Sequence, residues 1–118
     1  MLEKLFGTIV IEKILLYLLV NESGYASKMK RIFDIPLYSL QRAFMRLEQG
    51  GIVVAQAEGK TVIYRFNPRY PFLKELKIFL EKVYASLPEK MRTKYYERIE
   101  RTRPRRRGKP LKKIDDND

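Results

Sequence analysis

The side chains best suited to directional chemistry are long hydrogen-bond donors in one short stretch, PLYSLQRAFMRLEQGG, residues 36–51. Folded as a helix, it would turn Leu40, Phe44 and Leu47, spaced four and three apart, inward. Tyr38, Gln41, Arg42, Met45 and Arg46 would then face outward. A guanidinium offers a fork of N–H donors, and a carboxamide offers a donor beside an acceptor. Arg42 and Arg46 can therefore donate bidentately to guanine, and Gln41 can pair in the same way with adenine. Tyr38 and Ser39, near the amino end, can reach a phosphate or a base edge. Such a face also suits simple solvation, because any surface helix is polar outside.

Other chemistries lack their residues. The sequence has no Cys and no His, which removes the usual nucleophile, the best general base near neutral pH and the ligands of ordinary zinc, copper or haem sites. No Gly-rich loop is built to cradle phosphate, and Glu12, Glu48 and Glu58 show no pairing of the kind acid–base catalysis needs. An enzyme is the least expected reading, and neither a metal nor a cofactor is expected. The closing Asp115, Asp116 and Asp118 read as a solvated end rather than a cation site, since flexible carboxylates without a scaffold bind ions poorly. A chain free of disulfides fits a reducing cytoplasm.

Charge points to a partner. The net charge is +11 over 118 residues, a length that supports one domain and an extension. Eight basic and three acidic residues fall in 101–118, leaving 17 basic and 11 acidic in the first hundred. A basic body with a more basic end favours a polyanion, nucleic acid ahead of acidic membrane. The apolar run IVIEKILLYLLV, residues 9–20, is interrupted by Glu12 and Lys13 and is too short to span a bilayer. It reads as a helix buried on more than one side, rather than as a targeting signal.

The elements that must position the outward face follow from local signals. Thr8 can cap a first helix running to about Glu22, with Gly24 offering a left-handed exit. ASKMKRIF predicts a second helix with Met29, Ile32 and Phe33 inward, broken at Asp34-Ile35-Pro36. The third helix starts near Pro36 and stops at Gly50-Gly51. IVVAQAEGKTVIYRF predicts a hairpin turning at Glu58-Gly59-Lys60, with Val62, Tyr64 and Phe66 on the helices and Thr61, Ile63 and Arg65 facing away. A fourth helix is expected from Pro71 to about Leu87, with Phe72, Leu76, Phe79, Leu80, Val83 and Leu87 at helical spacing. Pro88 can open a fifth, whose thin stripe of Met91, Tyr95 and Ile99 reads as a seam against another helix, of this chain or of a second subunit. A ligand pocket between the first and fourth helices is conceivable, but core packing explains the same Leu, Ile and Phe residues.

This order describes a winged helix-turn-helix, mainly α with a small β-hairpin wing and extra C-terminal helices. The stretch SKMKRIFDIPLYSLQRAFMRLEQGGIVVAQAEGKTVIYRFNPRYPFLKEL, with the opening LEKLFGTIVIEKILLYLL, resembles the ArsR-like and MarR-like winged-helix regulators over about residues 2–85. The resemblance implies cytoplasmic, dimeric transcription regulators, with the third helix in the major groove and the hairpin tip near a minor groove. By position it makes Tyr38, Ser39, Gln41, Arg42 and Arg46 reading residues. It places Ser27, Lys28 and Arg31 on phosphates and Lys60 and Thr61 at the wing tip. Lys30, where Ala is usual, and Asp34, where Gly is usual, depart from the pattern and put the crossing of the two helices in question. Metal sensing in such regulators relies on Cys, His and acidic clusters, which this chain does not supply.

The implied organisation is a DNA-binding domain over 1–87, a dimerisation helix over 88–100 and a basic flexible tail over 101–118. The tail holds Arg103, Arg105, Arg106, Arg107 and Lys109; Arg107-Gly108-Lys109-Pro110 resembles an AT-hook, with Lys in place of its second arginine. A phosphate-binding arm and a merely solvated extension are the other readings, and the first two add affinity more than sequence choice. The expected function is sequence-specific binding of double-stranded DNA by a dimeric repressor, the homodimer formed through the first and C-terminal helices. A plasmid-partition or mobile-element DNA-binding protein and a winged-helix protein-interaction module are the alternatives.

Overall fold

The computed structural model describes residues 3–97. In chain order the elements are α1 (Glu3–Phe6), α2 (Ile9–Asn21), α3 (Ala26–Phe33), α4 (Leu37–Gln49), β1 (Val53–Glu58), β2 (Thr61–Phe66), α5 (Leu73–Ala85), α6 (Glu89–Met91) and a π-helical turn, Arg92–Tyr96. The fold is mainly helical with one small antiparallel hairpin, as expected. No described helix is long and apolar enough to cross a membrane.

The apolar run forms α2, the helix at the centre of the core. Thr8 caps it, its Oγ1 accepting from the Ile11 N–H at 3.1 Å. Ile11, Ile14, Leu15, Leu16, Tyr17 and Leu18 are all buried, and so is Glu12 in the first turn. The helix ends differently from the expectation. Glu22, not Gly24, takes the left-handed conformation at φ 71° and donates its N–H to the Leu18 carbonyl.

Gly24 is needed for closeness. A Cβ there would stand 2.9 Å from Tyr17 Cε1 and 3.5 Å from Met29 Sδ. That approach lets Gly24 exchange both backbone hydrogen bonds with Tyr64, at 3.0 and 2.8 Å, so β2 lies between β1 and the segment leading into α3. β1 and β2 pair from Val53↔Phe66 to Glu58↔Thr61, leaving Gly59 and Lys60 as the turn, with Gly59 at φ 65°.

α3 and α4 meet through Met29, Phe33, Leu40, Ala43, Phe44 and Leu47, all buried. Asp34 ends α3 at φ 56°, ψ 48°. It adopts a left-handed backbone, a conformation Asp tolerates better than most residues. Pro36 precedes α4, and its carbonyl accepts from Ser39 and Leu40 N–H. At the far end Gly51, at φ 77°, lets Ile52 donate to the Leu47 carbonyl at 3.0 Å.

The C-terminal elements depart most from expectation. α5 starts at Leu73 and ends at Ala85 rather than running from Pro71 to Leu87, and Phe72 and Phe79 are exposed instead of inward; Leu80 and Val83 are its buried residues, with Leu87 buried beyond its end. Phe79 keeps an edge-on contact with Phe6 of α1. The helix opened by Pro88 widens after Met91 into the π turn, closed by Glu97 N–H donating to the Arg92 carbonyl. The wider turn brings adjacent Tyr95 and Tyr96 to the core: Tyr95 stacks on Phe33 at 5.4 Å, and Tyr96, 1% exposed, meets Phe33 and Tyr84. Asn21 Nδ2 donates to the Tyr96 carbonyl at 3.1 Å, and Lys13 Nζ lies 5.1 Å from both the Phe33 and Tyr95 rings. Tyr95 thus packs against α3 of its own chain, while Met91 is exposed. Ile99 lies outside the described residues.

Candidate nucleic-acid interface

The outward face of α4 is built as its periodicity required. With Leu40, Phe44 and Leu47 holding the inner side, Tyr38, Gln41, Arg42, Met45 and Arg46 are all exposed; Ser39 is half-buried at the edge. Within the face Tyr38 and Arg42, one turn apart, form a unit. Arg42 donates to the Tyr38 hydroxyl at 3.0 Å, and its guanidinium carbon lies 5.5 Å from the ring centroid. A planar guanidinium held by a ring and a hydroxyl loses less freedom when it meets a second planar acceptor.

Tyr64 joins the hairpin to this helix. Its ring stacks on Phe44 with centroids 4.0 Å apart and planes 11° from parallel, while its backbone bonds Gly24. Burial first, and the Glu48 carboxylate second, hold its hydroxyl above the usual tyrosine range. Asn67 closes the other end of the hairpin: its side chain donates to the Gly51 carbonyl at 2.8 Å and accepts from Arg69 N–H, and its own N–H donates to the Ile52 carbonyl. α3, α4 and β2 are thus fixed to one another through Tyr64 of β2 and Asn67 at its exit.

The remaining expected residues fall on neighbouring elements. Ser27 and Arg31 are exposed and Lys28 half-buried on α3; Lys60 is exposed in the hairpin turn and Thr61 half-buried at the start of β2. The expected alternation along β2 holds at Phe66, buried, at Tyr64, half-buried, and at Arg65, exposed. It fails at Val62, which is exposed, and at Thr61 and Ile63, which are half-buried, because the outer end of the hairpin carries Val62 away from the helices that Tyr64 and Phe66 contact. Arg103, Arg105, Arg106, Arg107 and Lys109 lie outside the described residues. Among the described residues no cluster of three or more His, Cys, Asp or Glu could hold a metal ion.

Two features of the site are not among the sequence-based expectations. The Tyr38–Arg42 pair could have been expected, since residues four apart meet on a helix. The Gly24–Tyr64 bridge could not, because nothing local announces a partner so distant along the chain. Comparison with protein families, curated proteins and solved structures finds no match to this chain.

Proposed function

We propose that this chain is a sequence-specific double-stranded DNA-binding transcription regulator of the winged helix-turn-helix type, acting in the cytoplasm as a dimeric repressor. The observation that carries the reading is the outer face of α4: forked and amide donors at Gln41, Arg42 and Arg46, exposed on a rigid helix that is backed by buried Leu40, Phe44 and Leu47. A major groove admits one such helix. In this reading α4 reads base edges, α3 holds phosphates through Ser27, Lys28 and Arg31, and Lys60 and Thr61 touch the backbone or the minor groove. The basic residues of 101–118 add electrostatic affinity.

A homodimer is part of the proposal, and the exposed apolar residues favour where it forms. Leu5 and Ile9 near the start of the chain and Phe72, Ile78 and Phe79 at α5 are all exposed, and Phe6 links the two sets through Phe79. Glu75 and Lys82 lie seven residues apart on α5, both exposed. Antiparallel pairing of two α5 helices sets Glu75 of one copy opposite Lys82 of the other, whereas parallel pairing sets like charges together.

The test is affinity for DNA from upstream of the chain's own gene against scrambled duplex, over a salt series, for the full chain and for a chain ending at Glu100. A preference kept by the shorter chain, with a log–log salt slope flattened by roughly 0.9 for each phosphate that is no longer neutralised, supports the reading. Equal binding of both duplexes by both chains sinks it and turns attention to a protein partner for the same face.

A further inference from the structure

We propose that Met45 is a specificity residue that reads the 5-methyl group of a thymine in the major groove. The inference rests on the DNA-binding reading above and deepens it by assigning a base contact to a side chain that has no hydrogen-bonding role.

Met45 is 50% exposed at the middle of the outer face, one turn beyond Gln41 and Arg42 and beside Arg46. It belongs neither to the buried core nor to the half-buried hydrophobic residues packed against it, so the fold gains little from an apolar side chain there. Helix propensity does not account for it either, because Gln or Lys would serve as well. Tyr38, the other large exposed hydrophobic residue of the helix, is already paired with Arg42. Met45 is therefore the apolar element of a face otherwise made of donors.

The major groove presents hydrogen-bonding edges and one apolar feature, the thymine methyl. An unbranched, polarisable thioether adapts its shape to a small apolar target, and covering both removes them from water at once. The flanking side chains complement this role. Arg42, Arg46 and Gln41 address guanine and adenine, and Met45 supplies the contact that distinguishes thymine from cytosine. Because it carries no charge, Met45 neutralises no phosphate, and its removal should leave the salt dependence of binding unchanged.

The experiment selects sites from a random-sequence duplex library with the full chain, then replaces each thymine of the selected site by deoxyuridine, which pairs identically but lacks the methyl group. Affinities are measured for the natural chain, Met45→Ala and Met45→Leu. The expected result is one thymine per half-site whose replacement weakens the natural chain about fourfold, the worth of one buried methyl group. Met45→Ala should lose a similar factor on the thymine site, show no further loss with deoxyuridine and keep its salt slope; Met45→Leu should still sense the methyl. If a site is selected but no thymine shows this response, or if Met45→Ala still discriminates deoxyuridine, the assignment is wrong while DNA reading stands. If selection yields no shared sequence, the DNA-reading proposal fails and this one falls with it.

Discussion

A methyl group added at position 24 would meet the Tyr17 ring at 2.9 Å, closer than carbon atoms tolerate, in a place where the ring is itself buried. Gly24→Ala should therefore destabilise the fold by about 1–3 kcal/mol, the usual cost of forcing atoms into a filled site, read as a lower urea midpoint with the slope unchanged. In the proposed reading of DNA by α4 the decisive property is geometry rather than charge. Arg42→Lys keeps the cation but loses the fork, so we expect a loss of about tenfold on the selected site, within the 1–3 kcal/mol that a bidentate base contact is worth. Non-specific affinity and salt slope should hold. A loss shared equally by specific and scrambled duplex would instead make Arg42 a phosphate contact. The two positions differ in how far sequence could reveal them. Arg42 was legible because one amphipathic helix fixes its direction, whereas the closeness at Gly24 depends on Tyr17 and on a strand forty residues further along the chain.

Among the elements, α2, α3 and α4 follow from capping and period: Thr8, Asp34-Ile35-Pro36 and Gly50-Gly51 are local signals that need no knowledge of the fold. The C-terminal elements were legible only in part. A period of 3.6 predicts Met91, Tyr95 and Ile99 on one stripe, but the π turn breaks that period and sends neighbouring Tyr95 and Tyr96 to the core together. The tyrosines so placed make the elements sensitive to alkali. Burial, followed by the charge of Glu12, raises the Tyr96 hydroxyl well above its ordinary value. Burial also raises Tyr84, whose hydroxyl donates to Glu97, and Tyr64 is raised too. Above a pH of about 10 the unfolded chain releases these protons while the folded chain keeps them. Stability is thus complete below that pH and is lost as the pH climbs through the raised values. Phenolate absorbance should show Tyr64, Tyr84 and Tyr96 ionising late and together with unfolding, and Tyr96→Phe should move the alkaline midpoint upward. Ionisation of all eight tyrosines near their ordinary value in the folded chain would contradict the packing of α2, α5 and the π turn.

At the scale of the whole molecule, the exposed residues of α1 and α5 carry the dimer proposal. Ile78→Glu should convert a dimer to monomer in sedimentation without lowering the stability of the monomer's own core, since Ile78 is exposed. Sedimentation of the natural chain as a monomer at every concentration would remove the dimer and the palindromic site that follows from it. The net positive charge was plain from composition; the face on which two copies would meet was not, because Phe72 and Phe79 share the spacing of core residues and only their observed exposure separates them. The double bridge between Gly24 and Tyr64 has a kinetic consequence. Beyond Tyr64 the hairpin is exposed along all of β1 except Val53, so its outer amides should exchange with solvent deuterium by local fraying. The amides of Gly24 and Tyr64, locked between α2 and α4, should exchange only on the slower global opening of the domain, so the turn at Gly59-Lys60 can adjust to a surface while the root of the hairpin stays fixed.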